Sequence, residues 1–166
     1  KQVTRVLKSH GALSFWDYAG GAPYLPIEMG PGTDAEIDAI VVSPHKFIGG
    51  PGASGVLILR RGAVVKETPT WPGGGTVSFV SPWSHDYSSD VVVREEAGTP
   101  NVLGDLRTAL CFMIKGAIGA EYIASRLEEL RLRACAGWAG TPGLTLLGQD
   151  TAHHRIPIFS FLIKDP

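Results

Sequence analysis

The fold is decided by the stretch Ala39–Lys46, whose sequence is Ala-Ile-Val-Val-Ser-Pro-His-Lys. Its first four residues form an uninterrupted apolar run rich in β-branched residues, which is typical of a strand whose sheet is covered by helices on both faces. The polar residues Ser43, His45 and Lys46 lie immediately after this run. The stretch therefore predicts a buried strand that carries candidate functional groups just past its carboxyl end.

The segments on either side of this strand predict an α/β sheet. A helix-like segment over residues 2–9 leads into a short apolar run at 12–16, which ends at Asp17. A further strand is predicted at 56–59, after a glycine-rich segment. Strands separated by helical and irregular connections indicate α/β class. Because functional groups of such folds gather past the carboxyl ends of strands, we expect Asp17 to lie near Lys46.

Residues 68–100 are rich in Gly, Pro, Ser and Trp and show little periodicity, which predicts a long surface loop. A helix follows, for which Thr99 is a candidate cap and Pro100 the first helical residue. One face of this helix has the spacing of a buried stripe. Its members are Leu106, Ala109, Leu110, Met113, Ile114, Ala117 and Ile118.

The last part of the chain predicts a second helix and a second small sheet. Gly119 interrupts the helical pattern, and a new apolar stripe then begins at Ile123. Two strand-like runs follow at 144–147 and 158–163. The break at Gly119 indicates a bend that leads into another domain.

The composition excludes several function classes. With 44% hydrophobic and 19% charged residues among 166, the chain is that of a globular protein. Its formal net charge is -1 and no basic stripe occurs, so we expect no nucleic-acid partner. No run approaches the roughly 18 apolar residues of a membrane span. The two cysteines, Cys111 and Cys135, lie in helix-like stretches, which indicates a reducing compartment, the cytoplasm or an organelle matrix.

The predicted cluster of polar residues suits pyridoxal 5'-phosphate (PLP) chemistry. A lysine at such a site, when desolvated, has a neutral amine that can form a Schiff base with the PLP aldehyde. A carboxylate such as Asp17 can keep the pyridine nitrogen protonated, which makes the ring an electron sink. Ser43, His45 and the glycine-flanked backbone can offer donors to the phosphate.

Five sequence blocks carry a family resemblance. They are Phe15–Ala19, Asp38–Phe47, Gly50–Leu57, Trp71–Thr76 and Arg94–Asn101. In this order and with this spacing, the blocks resemble the class V aminotransferases, a family that includes cysteine desulfurases.

The resemblance implies a type I PLP-dependent transferase fold of α/β class, incomplete in this chain. Residues 1–116 would be the later part of the PLP-binding large domain, and residues 117–166 the start of the small C-terminal α/β domain. The implied function is PLP chemistry on an amino acid, either desulfurase or lyase chemistry or amino-group transfer.

The resemblance also implies roles for individual residues. Lys46 would form the Schiff base, Asp17 would pair with the pyridine nitrogen, and Ser43 and His45 would bind the phosphate. Thr76 would reach the phosphate bound by the neighbouring subunit, which implies a homodimer with shared active sites. Two more residues, Arg94 and Glu96, would support the wall of the site.

The chain departs from the family pattern at one position that matters. Desulfurases carry Gln three residues after the Asp, where it bonds the phenolic oxygen of the cofactor, and this chain has Gly20. Family segments that would lie upstream of Lys1 and beyond Pro166 would carry the ring that stacks on PLP, the Arg that binds the substrate carboxylate and, in desulfurases, the persulfide Cys. The residues that choose the substrate are therefore mostly outside this sequence.

Other interpretations of the same residues remain open. Gly50–Gly55 satisfies G-x-G-x-x-G but opens a strand rather than a helix, so we reject NAD binding. Ser43–Lys46 also fits S-x-x-K, which leaves a serine acyl-transferase as a remote alternative. His153 and His154 are adjacent and lack the i, i+4 spacing of a helical metal site, so we expect a polar loop and no metal. A different alternative is a truncated, non-catalytic chain that acts at most as a folding or interaction module.

Overall fold

The computed structural model describes residues 1–148 and 155–164, which form an α/β arrangement. The helices are α1 (Gln2–Ser9), α2 (Val91–Glu95), α3 (Val102–Ile118) and α4 (Ala120–Trp138). The strands are β1 (Phe15–Asp17), β2 (Ala39–Val42), β3 (Val56–Leu59), β4 (Val77–Val80), β5 (His85–Tyr87), β6 (Leu144–Leu147) and β7 (Ser160–Ile163). Within this part of the chain, every helix is too short or too polar to cross a lipid bilayer.

Strand β2 is the middle strand of a three-stranded sheet and forms the centre of the core. It pairs in parallel with β1, with Asp17 opposite Val41, and antiparallel with β3. Ile40 and Val42 are buried and pack with Ile37, Phe47 and residues of the neighbouring helix. The continuous β-branched run therefore forms the covered strand that its sequence predicts, with the same bounds.

Helix α3 covers this sheet through its small residues. Gly104, Thr108 and Cys111 are its buried positions, whereas Leu106 and Met113 are 58% and 68% exposed. The predicted buried face of this helix is therefore wrong. The physical reason is that glycine and threonine allow the helix backbone to approach the glycine-rich loop closely, which larger side chains would prevent.

The start of α3 also differs from the prediction. Asn101 caps the helix, and its side-chain oxygen accepts a hydrogen bond from the backbone N–H of Gly104 at 3.2 Å. Thr99 and Pro100 precede this cap. The Asn side chain reaches the third residue beyond it, which is the geometry that N-capping requires.

The predicted loop at 68–100 contains regular structure. Strands β4 and β5 form an antiparallel hairpin, and Asp90 caps the short helix α2 by accepting from the N–H groups of Val92 and Val93. The irregular composition concealed the hairpin because its strands are only four and three residues long.

The C-terminal elements follow the prediction more closely. Gly119 has a φ of 86° and separates α3 from α4, a conformation that favours glycine. β6 pairs antiparallel with β7, and Trp138 at the end of α4 packs edge-to-face on Phe159, with 5.0 Å between ring centroids.

Candidate functional site

The candidate site lies at the carboxyl ends of β1 and β2, which are at the same end of the sheet; this end is called the edge below. The two strands are parallel, and the N–H of Tyr18 donates to the carbonyl of Val41 at 2.9 Å. Asp17 therefore ends β1 beside the end of β2, and Ser43 follows two residues after Val41. The structure brings Asp17 to the same edge as the segment Ser43–Lys46.

A single turn of 3₁₀ helix, Pro44–Lys46, presents the candidate lysine. The N–H of Lys46 donates to the carbonyl of Ser43 at 3.0 Å, and that of Phe47 donates to Pro44 at 2.9 Å. Lys46 and His45 are exposed in the described chain, whereas Phe47 is buried in the core. The Schiff-base chemistry predicted from the sequence requires a desolvated lysine, and the described residues alone do not desolvate Lys46.

The glycine-rich loop after Lys46 turns back tightly on the 3₁₀ turn. A Cβ atom at Gly50 would lie 2.1 Å from the carbonyl oxygen of Pro44, so only glycine fits there. The loop is then held by α3, because the N–H of Ser54 donates to the carbonyl of Gly104 at 3.1 Å and Thr108 Oγ1 donates to the carbonyl of Ser54 at 2.8 Å. The small-residue face of α3 thus fixes the loop that follows Lys46.

The polar groups at this edge are mostly free of protein partners. Asp17 Oδ1 accepts from the N–H of Ala19 at 2.7 Å. Among residues 1–148 and 155–164, no hydrogen-bond partner occurs for Asp17 Oδ2 or for the side chains of Ser43, His45 and Lys46. An amine, a carboxylate, a hydroxyl and an imidazole therefore remain available for a ligand.

A second lysine, which the sequence argument missed, lies behind this edge. Lys115 Nζ on α3 donates to the carbonyls of Ala22 and Leu25 at 2.5 and 2.6 Å, and it lies 5.4 Å from the ring centroid of Phe47. Burial lowers the pKa of Lys115. The signal that could have revealed it is its spacing of four from Cys111, which places it on the buried stripe of α3.

Thr76 lies apart from these residues, before β4. Its side chain is fully buried, and Oγ1 donates to the carbonyl of Gly73 at 2.7 Å. The N–H of Gly73 in turn donates to the same oxygen at 3.3 Å. In this arrangement the hydroxyl hydrogen is already used within the chain.

Arg94 lies in the same segment, residues 68–100, and its side chain binds backbone carbonyls. It is buried, with Nη1 donating to the carbonyl of Ser88 and Nη2 to that of Lys66, both at 3.0 Å. Arg94 therefore links Lys66, just before this segment, to Ser88, just after β5. Glu96 is exposed at the end of α2.

A cleft of about 290 Å³ lies beside the turn that follows β1. Tyr24 and Leu25 line one side of it, and α4 and residues 155–157 line the other. None of its lining residues is a predicted site residue. The adjacent histidines His153 and His154 lie outside the described residues.

Comparison with known proteins gives a family and a fold. The family model described as aminotransferase class-V matches residues 1–165. A cysteine desulfurase of Shigella flexneri is 30% identical over 172 residues, which cover 97% of this chain and 41% of that protein. A cysteine desulfurase of Escherichia coli strain K12 is 29% identical with the same coverage. The chain thus spans about 41% of the length of these curated relatives.

Two solved structures share the fold. The cysteine desulfurase CsdA of Escherichia coli superposes with a TM-score of 0.79 and 26% identity, over 95% of this chain and 37% of that one. The cysteine desulfurase of Thermococcus onnurineus superposes with a TM-score of 0.81 and 23% identity, over 98% and 39%, a likeness that shows the fold alone.

Proposed function

The chain belongs to the class V aminotransferase family, and we propose that the protein is a PLP-dependent enzyme that acts on an amino acid through a Schiff base at Lys46. The family and the incomplete type I α/β fold predicted from the sequence are confirmed. The proposal is carried by one observation: at one end of the sheet, Asp17 Oδ2 and the side chains of Ser43, His45 and Lys46 have no hydrogen-bond partner among the described residues.

The residues at this edge fit the chemical groups of PLP. The aldehyde needs a primary amine, the pyridine nitrogen needs a carboxylate, and the phosphate needs hydrogen-bond donors. Lys46, Asp17, and the pair Ser43 and His45 supply these groups in that order. When bound, PLP supplies an electron sink that stabilises a carbanion on the amino acid.

Each residue of the chain then has a defined task. Lys46 holds the cofactor through its amine, and Asp17 Oδ2 holds the proton on the pyridine nitrogen, while Asp17 Oδ1 stays fixed by the N–H of Ala19. Ser43 and His45 donate to the phosphate. The 3₁₀ turn keeps Ser43, His45 and Lys46 on one short segment, so their relative positions are preset.

We include Thr76 in this proposal as a phosphate ligand of the neighbouring subunit in a homodimer. Its hydroxyl hydrogen points to the carbonyl of Gly73 in the described chain. Binding an anionic oxygen would require that hydrogen to turn away from Gly73, or the phosphate to use the backbone of the glycine run. Thr76→Val distinguishes these two ways of binding the phosphate, because valine keeps the shape of the side chain and removes the hydroxyl.

The subclass of reaction follows less directly from these residues. Desulfurase or lyase chemistry is supported by the relatives, which are cysteine desulfurases, and amino-group transfer by the class V aminotransferase family as a whole. Gly20 stands where desulfurases carry the Gln that bonds the phenolic oxygen of the cofactor. The proposal therefore includes both subclasses.

We further propose that the boundary between the large and the small domain lies near residue 116, beside the helix break at Gly119. We also propose that the protein is located in the cytoplasm or an organelle matrix.

The absorbance of the Schiff base tests the proposal. We expect the complete protein with PLP to show a visible band that borohydride bleaches, and we expect the reduced cofactor to be found on the peptide containing Lys46. The variant Lys46→Ala should lose the band, because no other amine replaces it at that position. Lys66→Ala, which removes another exposed lysine, should keep the band and serves as the matched control. A normal band in Lys46→Ala refutes the assignment.

The alternative, a chain that acts only as a folding or interaction module, is tested by stoichiometry. We expect near-equimolar PLP on Lys46 when the complete protein is titrated with the cofactor. For residues 1–166 alone we expect weak or no turnover, because the described residues leave Lys46 exposed. Equimolar Schiff base in the complete protein contradicts the alternative, and its absence with a correctly folded protein favours it.

A further inference from the structure

Helix α3 carries an ammonium group that contacts both segments of the proposed cofactor site. One segment is the turn after Asp17, where the N–H of Ala22 donates to Tyr18 at 2.7 Å and that of Leu25 donates to Gly21 at 2.9 Å. The carbonyls of Ala22 and Leu25 close this turn, and both accept from Lys115 Nζ. The cation thus occupies the place that positive charge favours at the carboxyl end of a helical turn.

The second segment is the one that carries Lys46. Lys115 Nζ lies over the ring of Phe47, the residue directly after Lys46, and Phe112 of α3 contacts the same ring edge-to-face at 5.2 Å. Because Phe47 is buried between these side chains, movement of α3 would be transmitted to the 3₁₀ turn.

The surroundings of the ammonium are otherwise apolar. A crevice of about 20 Å³ beside it is lined by Pro23, Phe47, Ile48, Ile118 and Ile123 together with Lys115 itself. A charged group in such surroundings costs free energy unless its donors are satisfied. The two carbonyls of the turn accept from two of the three N–H donors, so the lysine and the turn stabilise each other.

We propose that Lys115 is a positioning residue of the PLP site, which holds the turn after Asp17 against Phe47 and so sets Asp17 relative to Lys46. This inference rests on the proposed function. Lys115 does not need to touch the cofactor for this role.

The test uses the complete protein and the variant Lys115→Met, which keeps the stem and removes the charge and the donors. Hydrogen exchange of residues 18–25 should become faster, because two carbonyls of the turn lose their donor. The pH midpoint of the Schiff-base band should rise, because a nearby cation no longer opposes protonation at Lys46. We expect kcat to fall about tenfold and KM to change less than about twofold, as a misplaced but still bound cofactor would produce.

Lys8→Met is the matched control, since Lys8 of α1 pairs with Glu36 at 3.8 Å and the same atoms are removed. It should leave the midpoint and kcat unchanged. Lys115→Gln removes the same charge but keeps a neutral donor, so it should raise the midpoint as much as Lys115→Met while changing kcat and hydrogen exchange less. It decides the question if Lys115→Met does not fold. Wild-type values of midpoint and kcat in the folded variant overturn the inference. A loss of activity that follows only the folded fraction overturns it as well.

The two proposals fail in different ways. If the wild-type protein shows no reducible band on Lys46, the proposed function is wrong whatever Lys115 does. If the band is present in the wild type and in Lys115→Met, with the same pH midpoint and the same kcat, only the positioning role is wrong.

Discussion

Asp38 is a buried carboxylate at the end of the sheet opposite the candidate site. It accepts from the N–H of Ser14 at 2.8 Å, from Ser14 Oγ at 3.2 Å, and from Nε of Arg60 at 2.8 Å, with Arg60 Nη2 on the same oxygen. Burial alone would raise the pKa of Asp38, but the bonds from Ser14 and Arg60 outweigh it and lower the pKa. The carboxylate therefore links the residues directly before β1 and β2 to the residue directly after β3.

We predict that Asp38→Asn lowers the free energy of unfolding by about 2 kcal/mol, because it leaves the Arg60 guanidinium without its counter-charge. Since folding lowers the pKa of Asp38, its contribution is complete above the usual carboxyl pKa of about 4 and is lost as the pH falls through the lower folded value. The difference between wild type and variant, measured by denaturant unfolding, should therefore shrink below about pH 4.

Asp34→Asn is the control for this prediction, because Asp34 forms an exposed pair with Arg5 at 2.7 Å. Solvent screens such a pair, so we expect little change in stability. Equal losses of unfolding free energy in Asp38→Asn and Asp34→Asn would show that burial does not determine how much each ion pair contributes to stability.

For the candidate site residues, the sequence predicted their position in the fold but not their exposure to solvent. Asp17, Ser43, His45 and Lys46 were predicted to gather at one sheet edge, and the parallel pairing of β1 with β2 brings their segments there. The prediction depended only on where two strands end. The exposure of Lys46 could not be predicted, since it depends on residues distant in sequence.

At the scale of elements, the junction between α3 and α4 depends on a single backbone conformation. Gly119 has a φ of 86°, and a Cβ there would meet no atom of residues 1–148 or 155–164 within 4 Å. Against these residues, a side chain at this position costs conformational strain rather than a clash. Gly116 lies inside α3 and also has open space around a Cβ, but its backbone is helical.

We predict opposite effects of alanine at these two glycines. Gly119→Ala should lower the free energy of unfolding by about 1 kcal/mol, because alanine disfavours positive φ. Gly116→Ala should raise it by about 0.5–1 kcal/mol, because alanine is the better helix former. Thermal or denaturant unfolding of the two variants measures both signs. A stabilised Gly119→Ala would mean that the bend does not require its left-handed conformation.

At the scale of the whole molecule, the largest departure from the prediction is the outer face of α3. Leu103, Leu106, Leu110 and Met113 are 71%, 58%, 56% and 68% exposed. Contiguous apolar surface of this kind is typical of a face that contacts another part of a protein or another chain. The four side chains form a continuous stripe at spacings of three and four residues.

We predict that the chain of residues 1–166, expressed alone, self-associates through this stripe. Sedimentation should show species larger than a monomer, and the triple variant Leu106→Gln, Leu110→Gln and Met113→Gln should shift them toward monomer. Val65→Gln, at an isolated site that is 87% exposed, should change nothing. A compact wild-type monomer would contradict the prediction.

The sequence by itself determined the strands β2 and β3 and the break between α3 and α4, but not the hairpin and short helix within residues 68–100. The β-branched run of β2, the polar residues that end β1 and β2, and the glycine break after α3 act through neighbouring backbone and side chains, so their pattern is sufficient to predict them. The tertiary structure alone decided the antiparallel direction of β3, the face of α3 that is buried, and the contacts of Lys115. The physical reason is that helical periodicity shows which residues share a face of the helix but does not determine which face is buried. The choice depends on packing, and here Gly104, Thr108 and Cys111 let α3 approach the loop after Lys46 more closely than its larger apolar face could.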